Sequence, residues 1–264
     1  MKKLVLFDIV SKFTTWLRPG RRTRVYSPTM RPRDCTFPSL PEHASRRDNI
    51  EMNKLPDPPL LVVTDRQQAR LALADVVRAA LSAGCRWVSM REKDLSQDDQ
   101  IALASTLLPI ARRHAARLTV HGDADLAKAC GSDGVHLPAG ADAVEARKTL
   151  GREKLVGVSL HTVTEAEAID PAVVDYAIAG PAFETPSKPG YGPEIGRKGL
   201  AEIARAAPVP VLAIGGLNVT RAAEVLAVGP AGIAVMGSIM RAVDPAREVK
   251  ALLAILAGSH PRPR

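Results

Sequence analysis

Aromatic side chains make up only 3% of the chain: two Trp, three Tyr and four Phe. A core so poor in rings must be built from Ala, Val, Leu and Ile, which suits parallel strands covered by helices on both faces. Cysteine is equally scarce. Cys35, Cys85 and Cys130 are widely spaced, odd in number and without a CxxC pair, which excludes a disulfide framework and a zinc pattern. A reduced, cytoplasmic setting is expected. No apolar run is long enough to span a bilayer. The opening MKKLVLFDIVSKF joins a positive end to a short apolar run, but Asp8 and Lys12 interrupt it and no small-residue cleavage site follows closely, so export is not expected. A Gly-x-Gly-x-x-Gly turn is missing after the first strand-like run, which removes the usual reason to expect a dinucleotide-binding fold.

The net charge of +8 suggests a nucleic-acid binder until it is divided along the chain. Residues 1–57 hold 12 Lys/Arg against 6 Asp/Glu, and the rest holds 24 against 22. The basic surplus therefore belongs to the leader, and no nucleic-acid partner is expected for the body. The leader is rich in Arg, Pro, Ser and Thr, with prolines at 19, 28, 32, 38, 41, 56, 58 and 59 that deny long helices and central strands. It cannot bury enough apolar area to offset its chain entropy, so residues 1–57 are predicted to be disordered. Val5 to Leu17 could form a short amphipathic helix, read either as an anchor or as a loosely docked extension.

After Pro59, short aliphatic runs alternate with longer Ala-rich stretches of helical period. The runs are 60–64, 86–90, 118–121, 134–137, 155–159, 176–180, 210–214 and 232–236, with helical segments such as 69–83, 97–115, 141–150 and 199–206 between them. Gly84, Gly131, Gly151 and Gly229 stand where helices should stop. Eight strands in about 200 residues most simply close into a (β/α)8 TIM barrel over residues 58–257, with 258–264 as a flexible tail; a doubly wound open sheet is the alternative.

Two glycine-bearing strand ends carry the most specific chemical signal. Ala213-Ile214-Gly215-Gly216 closes the seventh run and Val235-Met236-Gly237-Ser238 the eighth. Glycines there let backbone amides approach an anion, and the helical segments that follow, from Val219 and Ile239, would point their positive ends at it. Phosphate sites after strands seven and eight recur in barrels of many chemistries. The bland alternative is that these glycines only turn the chain. Arg91 and Lys93 follow strand two, and Lys188 lies in the long loop after strand six, where they read as a convergent anion pocket. That loop, Glu184 to Gly199, is long and rich in Gly and Pro, as loops that close over ligands often are.

The strings REK after strand two, DGVHL at four, GVSLHT at five, GPAFETPSKPG after six, AIGGL at seven and GIAVMGSI at eight occur in this order across residues 60–257. In this the chain resembles the thiamine phosphate synthase/TenI family. Synthases of that family join an aminopyrimidine pyrophosphate to a thiazole phosphate, with Mg2+ held by carboxylates as the diphosphate leaves. The family pattern places an Asn-Asp pair after strand three and an Asp after strand four. Here His121 and Gly122 stand at the first place, and Ala141 at the second with Asp142 one residue late. Asp123 and Asp125 lie nearby, but at a helix start capping is the commoner role.

At those places the resemblance is closer to the TenI branch, which includes thiazole tautomerases that need no metal. The resemblance then implies a metal-independent isomerase acting on carboxythiazole phosphate, with no cofactor and a thiazole phosphate-type small molecule as partner. His161 would move the proton, its alternative role being a structural turn residue. Arg91, Lys93 and Lys188 would receive anionic groups. Ser159, Thr185, Ser187 and Glu184 would offer hydrogen bonds, and Gly215, Gly216, Met236, Gly237 and Ser238 would hold the phosphate. His121 and His136 are expected as packed or hydrogen-bonded rim residues, and His114 as surface. One alternative is a thiamine phosphate synthase with Mg2+ on Asp123, Asp125 or Asp142. Another is a non-catalytic binder of thiazole or thiamine phosphates. Members of the family commonly form oligomers, so a homo-oligomer is an open expectation.

Overall fold

The structure is a computed structural model that describes residues 55–185 and 193–259; the expectations for the leader, for Ser187 and Lys188 and for residues 260–264 lie outside the described residues. Strands and helices alternate. The strands are β1 (Leu60–Val63), β2 (Trp87–Met90), β3 (Arg117–His121), β4 (Gly134–Leu137), β5 (Leu155–Leu160), β6 (Tyr176–Ala179), β7 (Val211–Ala213) and β8 (Gly232–Val235). Helices α1 (Leu73–Ser82), α2 (Gln97–Arg113), α3 (Ala124–Ala129), α4 (Ala143–Leu150), α5 (Val163–Glu167), α6 (Gly196–Ala206) and α7 (Val219–Leu226) follow strands one to seven. Two helices, α8 (Gly237–Met240) and α9 (Pro245–Ser259), follow β8. Neighbouring strands are parallel throughout, and β8 pairs with β1, so the sheet is a closed eight-stranded barrel. The doubly wound alternative is thereby removed. The last helix runs to Ser259, two residues past the expected end of the body.

Strand alternation divides the apolar residues into two clusters. Leu60 and Val62 pack outward with the helices, in the cluster that also holds Val76, Val77, Leu107 and Leu252. Leu61, Val63, Trp87, Leu155, Tyr176, Ile178, Leu212 and Ala234 form the second cluster, which contains strand residues alone and fills the barrel. Two of the chain's few aromatic rings do most of that filling. Trp87 and Tyr176 meet edge to face with centroids 4.6 Å apart. Gly157 on β5 stands opposite Tyr176 on β6, where an added Cβ would lie 2.1 Å from the ring. The large residue and the missing one are a single packing decision.

Local signals start the helices where polar caps occur. Ser96, Asp123, Asp142 and Asn218 each accept a backbone N–H of the first turn of α2, α3, α4 and α7. Thr162 and Glu165 form a reciprocal capping box on α5. Glycines 84, 131, 151 and 229, expected as helix stops, all have positive φ. Among the described residues no helix is long and apolar enough to cross a membrane.

At the N-terminal ends of the strands, acidic residues tie neighbours together. The Asp133 carboxylate accepts Leu118 N–H at 2.8 Å, and that of Asp175 accepts Val156 N–H at 2.8 Å. Asp175 also receives Arg147 Nη2 at 2.6 Å, and Arg147 donates to the carbonyls of Val173, Gly151 and Lys154. With both side chains only about a tenth exposed (12% and 11%), removing one partner strands the other. Asp175→Ala should therefore lower unfolding free energy by about 2–4 kcal/mol, read from urea midpoints, with ligand affinity unchanged because the clamp lies at the opposite end from the strand ends expected to bind.

Candidate active site

The C-terminal ends of the strands open into one cleft of 1330 Å³. Every described site residue expected from sequence lines it: Arg91, Lys93, Ser159, His161, Thr185, Gly215, Gly216, Met236, Gly237 and Ser238. His121, His136 and Glu184 line it too. Ser187 and Lys188 lie outside the described residues, so neither is placed.

The corner expected to hold phosphate is built by the β7 and β8 ends. Gly215 and Gly216 have φ of +108° and +64°. Their freedom serves close packing against the loop after β6: an added Cβ on Gly215 would lie 2.7 Å from Pro181 Cα, and one on Gly216 2.6 Å from Glu184 O. Ala182 N–H donates to Ile214 O at 2.7 Å and Phe183 N–H to Gly215 O at 3.2 Å, stapling the two loops. The expected positive helix ends need revision. Asn218 takes the Thr220 and Arg221 amides of α7 with its own side chain, so those donors are already used. The helix after β8 begins at Gly237, two residues earlier than expected, and its first turn has no side-chain cap. The Ser238 hydroxyl there is buried and has no hydrogen-bond partner among the described residues. A buried hydroxyl without a partner is costly unless a ligand supplies one.

Basic groups surround this corner and the opposite wall. Arg91 and Lys93 enter from the β2 end. Burial, and then the neighbouring Arg91, push the Lys93 ammonium below its ordinary value. Arg221 lies 4.7 Å over the Phe183 ring and donates to Gly216 O, which braces the β7 loop. Arg241 and Arg247 complete the rim beside Gly237. These three arginines were missed in sequence; each lies on or beside a helix that follows the glycine turns, and no spacing rule singles it out.

The floor between the two basic regions is polar on one side. His121 and His136, on adjacent strands, meet at a tilt of 51° with centroids 4.8 Å apart, and His136 Nε2 is 2.9 Å from Ser159 Oγ. His136 is 1% exposed, and its Nδ1 has no partner among the described residues. Burial, with Lys93 adding to it, drives its pKa from 6.5 to about 3, so the ring is neutral. His136, expected as a packed or hydrogen-bonded rim residue, is packed and bonded to Ser159, and its second ring nitrogen is left unmatched among the described residues. His161 sits at the β5–α5 turn. Its backbone N–H donates to Glu165 at 2.5 Å, and its Nδ1 lies 2.6 Å from Gly180 O, which places the ring proton on Nδ1. His161 thus makes a structural contact through Nδ1 and lies on the cleft wall.

A closed parallel barrel whose strand-seven and strand-eight glycine turns share one cleft with Arg91 and Lys93 places this chain among (β/α)8 proteins with a site at the C-terminal strand ends. The particular family follows from sequence likeness. Residues 60–239 match the profile of the thiamine monophosphate synthase family, and the chain belongs to it. Over 202 residues it is 42% identical to a thiamine-phosphate synthase of Roseiflexus sp. strain RS-1, covering 75% of this chain and 85% of that protein. It is 40% identical to the thiamine-phosphate synthase of Roseiflexus castenholzii, covering 74% and 87% of the two chains. The solved thiamine phosphate pyrophosphorylase of Pyrococcus furiosus superposes with a TM-score of 0.69 at 31% identity, covering 78% and 98%.

These likenesses overturn the expected metal-independent tautomerase. Relatives that share 40–42% of residues over three-quarters of the chain are synthases, and nothing points to the TenI branch. The tautomerase expectation rested on a few rim positions, which report local ligand contacts and carry little weight against agreement along the whole barrel. The expected absence of a cofactor falls with it, because the synthase alternative implies Mg2+. The residues present do not fit a carboxylate-held metal. Among the described residues no group of three His, Cys, Asp or Glu is placed to hold a metal ion. Asp123 and Asp142 spend a carboxylate oxygen each on the Leu126 and Glu145 amides as helix caps.

A neutral buried His136 couples stability to pH. An unfolded chain protonates this histidine near pH 6.5, whereas the folded protein resists until about pH 3, so stability is full above pH 6.5 and falls as pH drops through that window. The loss attributable to His136 should be on the order of 2 kcal/mol at pH 5. Urea midpoints at pH 7 and 5 should show it in wild type and show it reduced in His136→Gln; equal acid losses in both would refute a neutral His136.

Proposed function

We propose that this protein is a thiamine-phosphate synthase, joining an aminopyrimidine diphosphate ester to a thiazole phosphate and releasing diphosphate. The observation that carries the reading is the extended identity with synthases. The geometry that supports it is a single cleft with two anion-receiving walls, as two phosphorylated substrates require.

In this reading the thiazole phosphate sits at the β7–β8 corner. Backbone at Gly215, Gly216 and Gly237 surrounds the phosphate, and the Ser238 hydroxyl donates to it, gaining the partner it lacks in the free protein. The diphosphate of the second substrate faces Arg91 and Lys93. Its charge would also restore the Lys93 ammonium, which burial disfavours. The C–O bond of the pyrimidine methylene breaks, and its electron pair leaves on the diphosphate oxygen. The resulting cation is stabilised by the aminopyrimidine ring and captured by the lone pair of the thiazole nitrogen.

The chain's own residues orient and shield this cation. His136 Nδ1 offers a hydrogen-bonding atom to the pyrimidine edge, with Ser159 holding the ring from the other side. Val63, Ile178, Ile214 and Ala234 supply the apolar part of the cleft lining, which keeps water from competing with the thiazole nitrogen. His161, with Nδ1 on Gly180 O, lines the cleft, and Thr185 stands at the edge of the loop after β6.

Purified protein given both precursors should form thiamine phosphate and diphosphate in equal amounts; absence of product with excess Mg2+ would remove the synthase reading. Ser238→Ala should leave the melting temperature unchanged and raise KM for thiazole phosphate about tenfold, the expected loss of one hydrogen bond to a charged group. A wild-type KM in that variant would move the phosphate away from this corner.

A further inference from the structure

Glu92 lies in sequence between two cleft-lining cations, Arg91 and Lys93, but its own carboxylate takes no place on the cleft. It is 2% exposed and bonded through both oxygens to the segment after β1. Oε1 accepts the Thr64 hydroxyl at 2.6 Å and the Arg66 N–H at 3.1 Å. Oε2 accepts the same N–H at 3.0 Å and Arg66 Nη1 at 3.2 Å. Thr64 Oγ1 in turn accepts the Arg91 backbone N–H at 2.9 Å. Arg66 is held further by Asp94, at 2.7 and 2.6 Å, and Gln67 Nε2 reaches Asp94 at 2.9 Å.

The network has two consequences. It locks the β1 and β2 ends to each other, so the Arg91 backbone cannot shift without breaking buried bonds to a carboxylate. It also spends the charge of Arg66 on Glu92 and Asp94, so Arg66 is not offered to a ligand. Arg91 and Lys93 form no ion pair among the described residues. Two like charges held side by side without a counterion are unfavourable, and the shared relief is an anion large enough to meet both. Meanwhile the carboxylates nearest the β3 and β4 ends cap helices and do not cluster.

We propose that Glu92 is a positioning residue that presets Arg91 and Lys93 as a cation pair, and that this barrel thereby receives a diphosphate group on protein charge, holding no divalent metal of its own. The inference rests on the synthase reading, whose leaving group is diphosphate. It assigns Glu92 a role through its neighbours and none in contact with substrate. Because the carboxylate points away from the cleft, replacing it should alter affinity for one substrate and spare the other.

The test uses the full chain and inorganic diphosphate, titrated by calorimetry in EDTA and again in Mg2+. Wild type should bind diphosphate in EDTA with an affinity within about threefold of that in Mg2+, since the cations do not depend on metal. Glu92→Gln should weaken diphosphate binding by roughly tenfold to a hundredfold, the scale of a lost charge-assisted hydrogen bond, and leave thiazole phosphate affinity unchanged. Under turnover the same variant should raise KM for the pyrimidine substrate and spare that for the thiazole. Thr64→Val, which cuts only the link to the Arg91 backbone, should show the same selectivity more weakly and serves if Glu92→Gln does not fold. Mn2+ added to the free protein should keep the electron paramagnetic resonance signal of the free ion. Stoichiometric Mn2+ binding, diphosphate binding only with metal, or equal loss of both ligands in the variants would each overturn the proposal. Binding is read without turnover, so intact metal-free diphosphate binding in a protein that makes no thiamine phosphate would sink the synthase reading and leave the Glu92 assignment supported.

Discussion

Pairing of β8 with β1 sets the geometry on which the cleft depends. Leu60 stands beside Ile233 and Val62 beside Val235, and Ile233 N–H donates to Pro59 O at 3.1 Å. In an open sheet these two strands would be the far edges, and the glycine turns after β7 and β8 would lie on the opposite side of the molecule from Arg91 and Lys93. Closure brings both onto one rim. The barrel can close only because its interior is filled, and the filling rests on Trp87 and Tyr176 meeting over the space that Gly157 leaves empty.

On that frame the cleft separates its tasks by strand. Strands β2 to β5 contribute Arg91, Lys93, His121, His136 and Ser159, a polar and cationic half. Strands β6, β7 and β8, with Val63 of β1, contribute an apolar surface that ends at the glycine turns after β7 and β8. Two residues lining this space, His136 and Ser238, carry a buried polar atom without a partner among the described residues, one on each side of the division. The Glu92 network stands behind the cationic half as the capping box of Thr162 and Glu165 stands behind His161: in both, a carboxylate bonded to backbone fixes the strand end that carries the cleft residue.

Much of the site was legible because (β/α)8 architecture converts sequence order into angular order. Once eight runs were read as successive strands, residues just after each run had to meet at one rim, and the ten described candidates do. The complete burial of His136 and its unmatched ring atom are not visible in a string reading DGVHL. Arg221, Arg241 and Arg247 escaped because an arginine on or beside a helix looks like solvated surface until the neighbouring strands are placed. The choice of isomerase over synthase went astray by giving His121, Gly122 and Ala141 more weight than the length of the likeness to synthases.

By itself the sequence determined the alternation of strand and helix and the glycine-bearing strand ends, with the barrel as the simplest closure, since these follow from local periodicity, caps and glycine positions. The tertiary structure alone decided which polar atoms are left without partners, which carboxylates are spent on helix caps and which way Glu92 turns. Those outcomes depend on contacts between strands tens of residues apart, such as Thr64 with Glu92 or His136 with Ser159, whose distances no local pattern encodes.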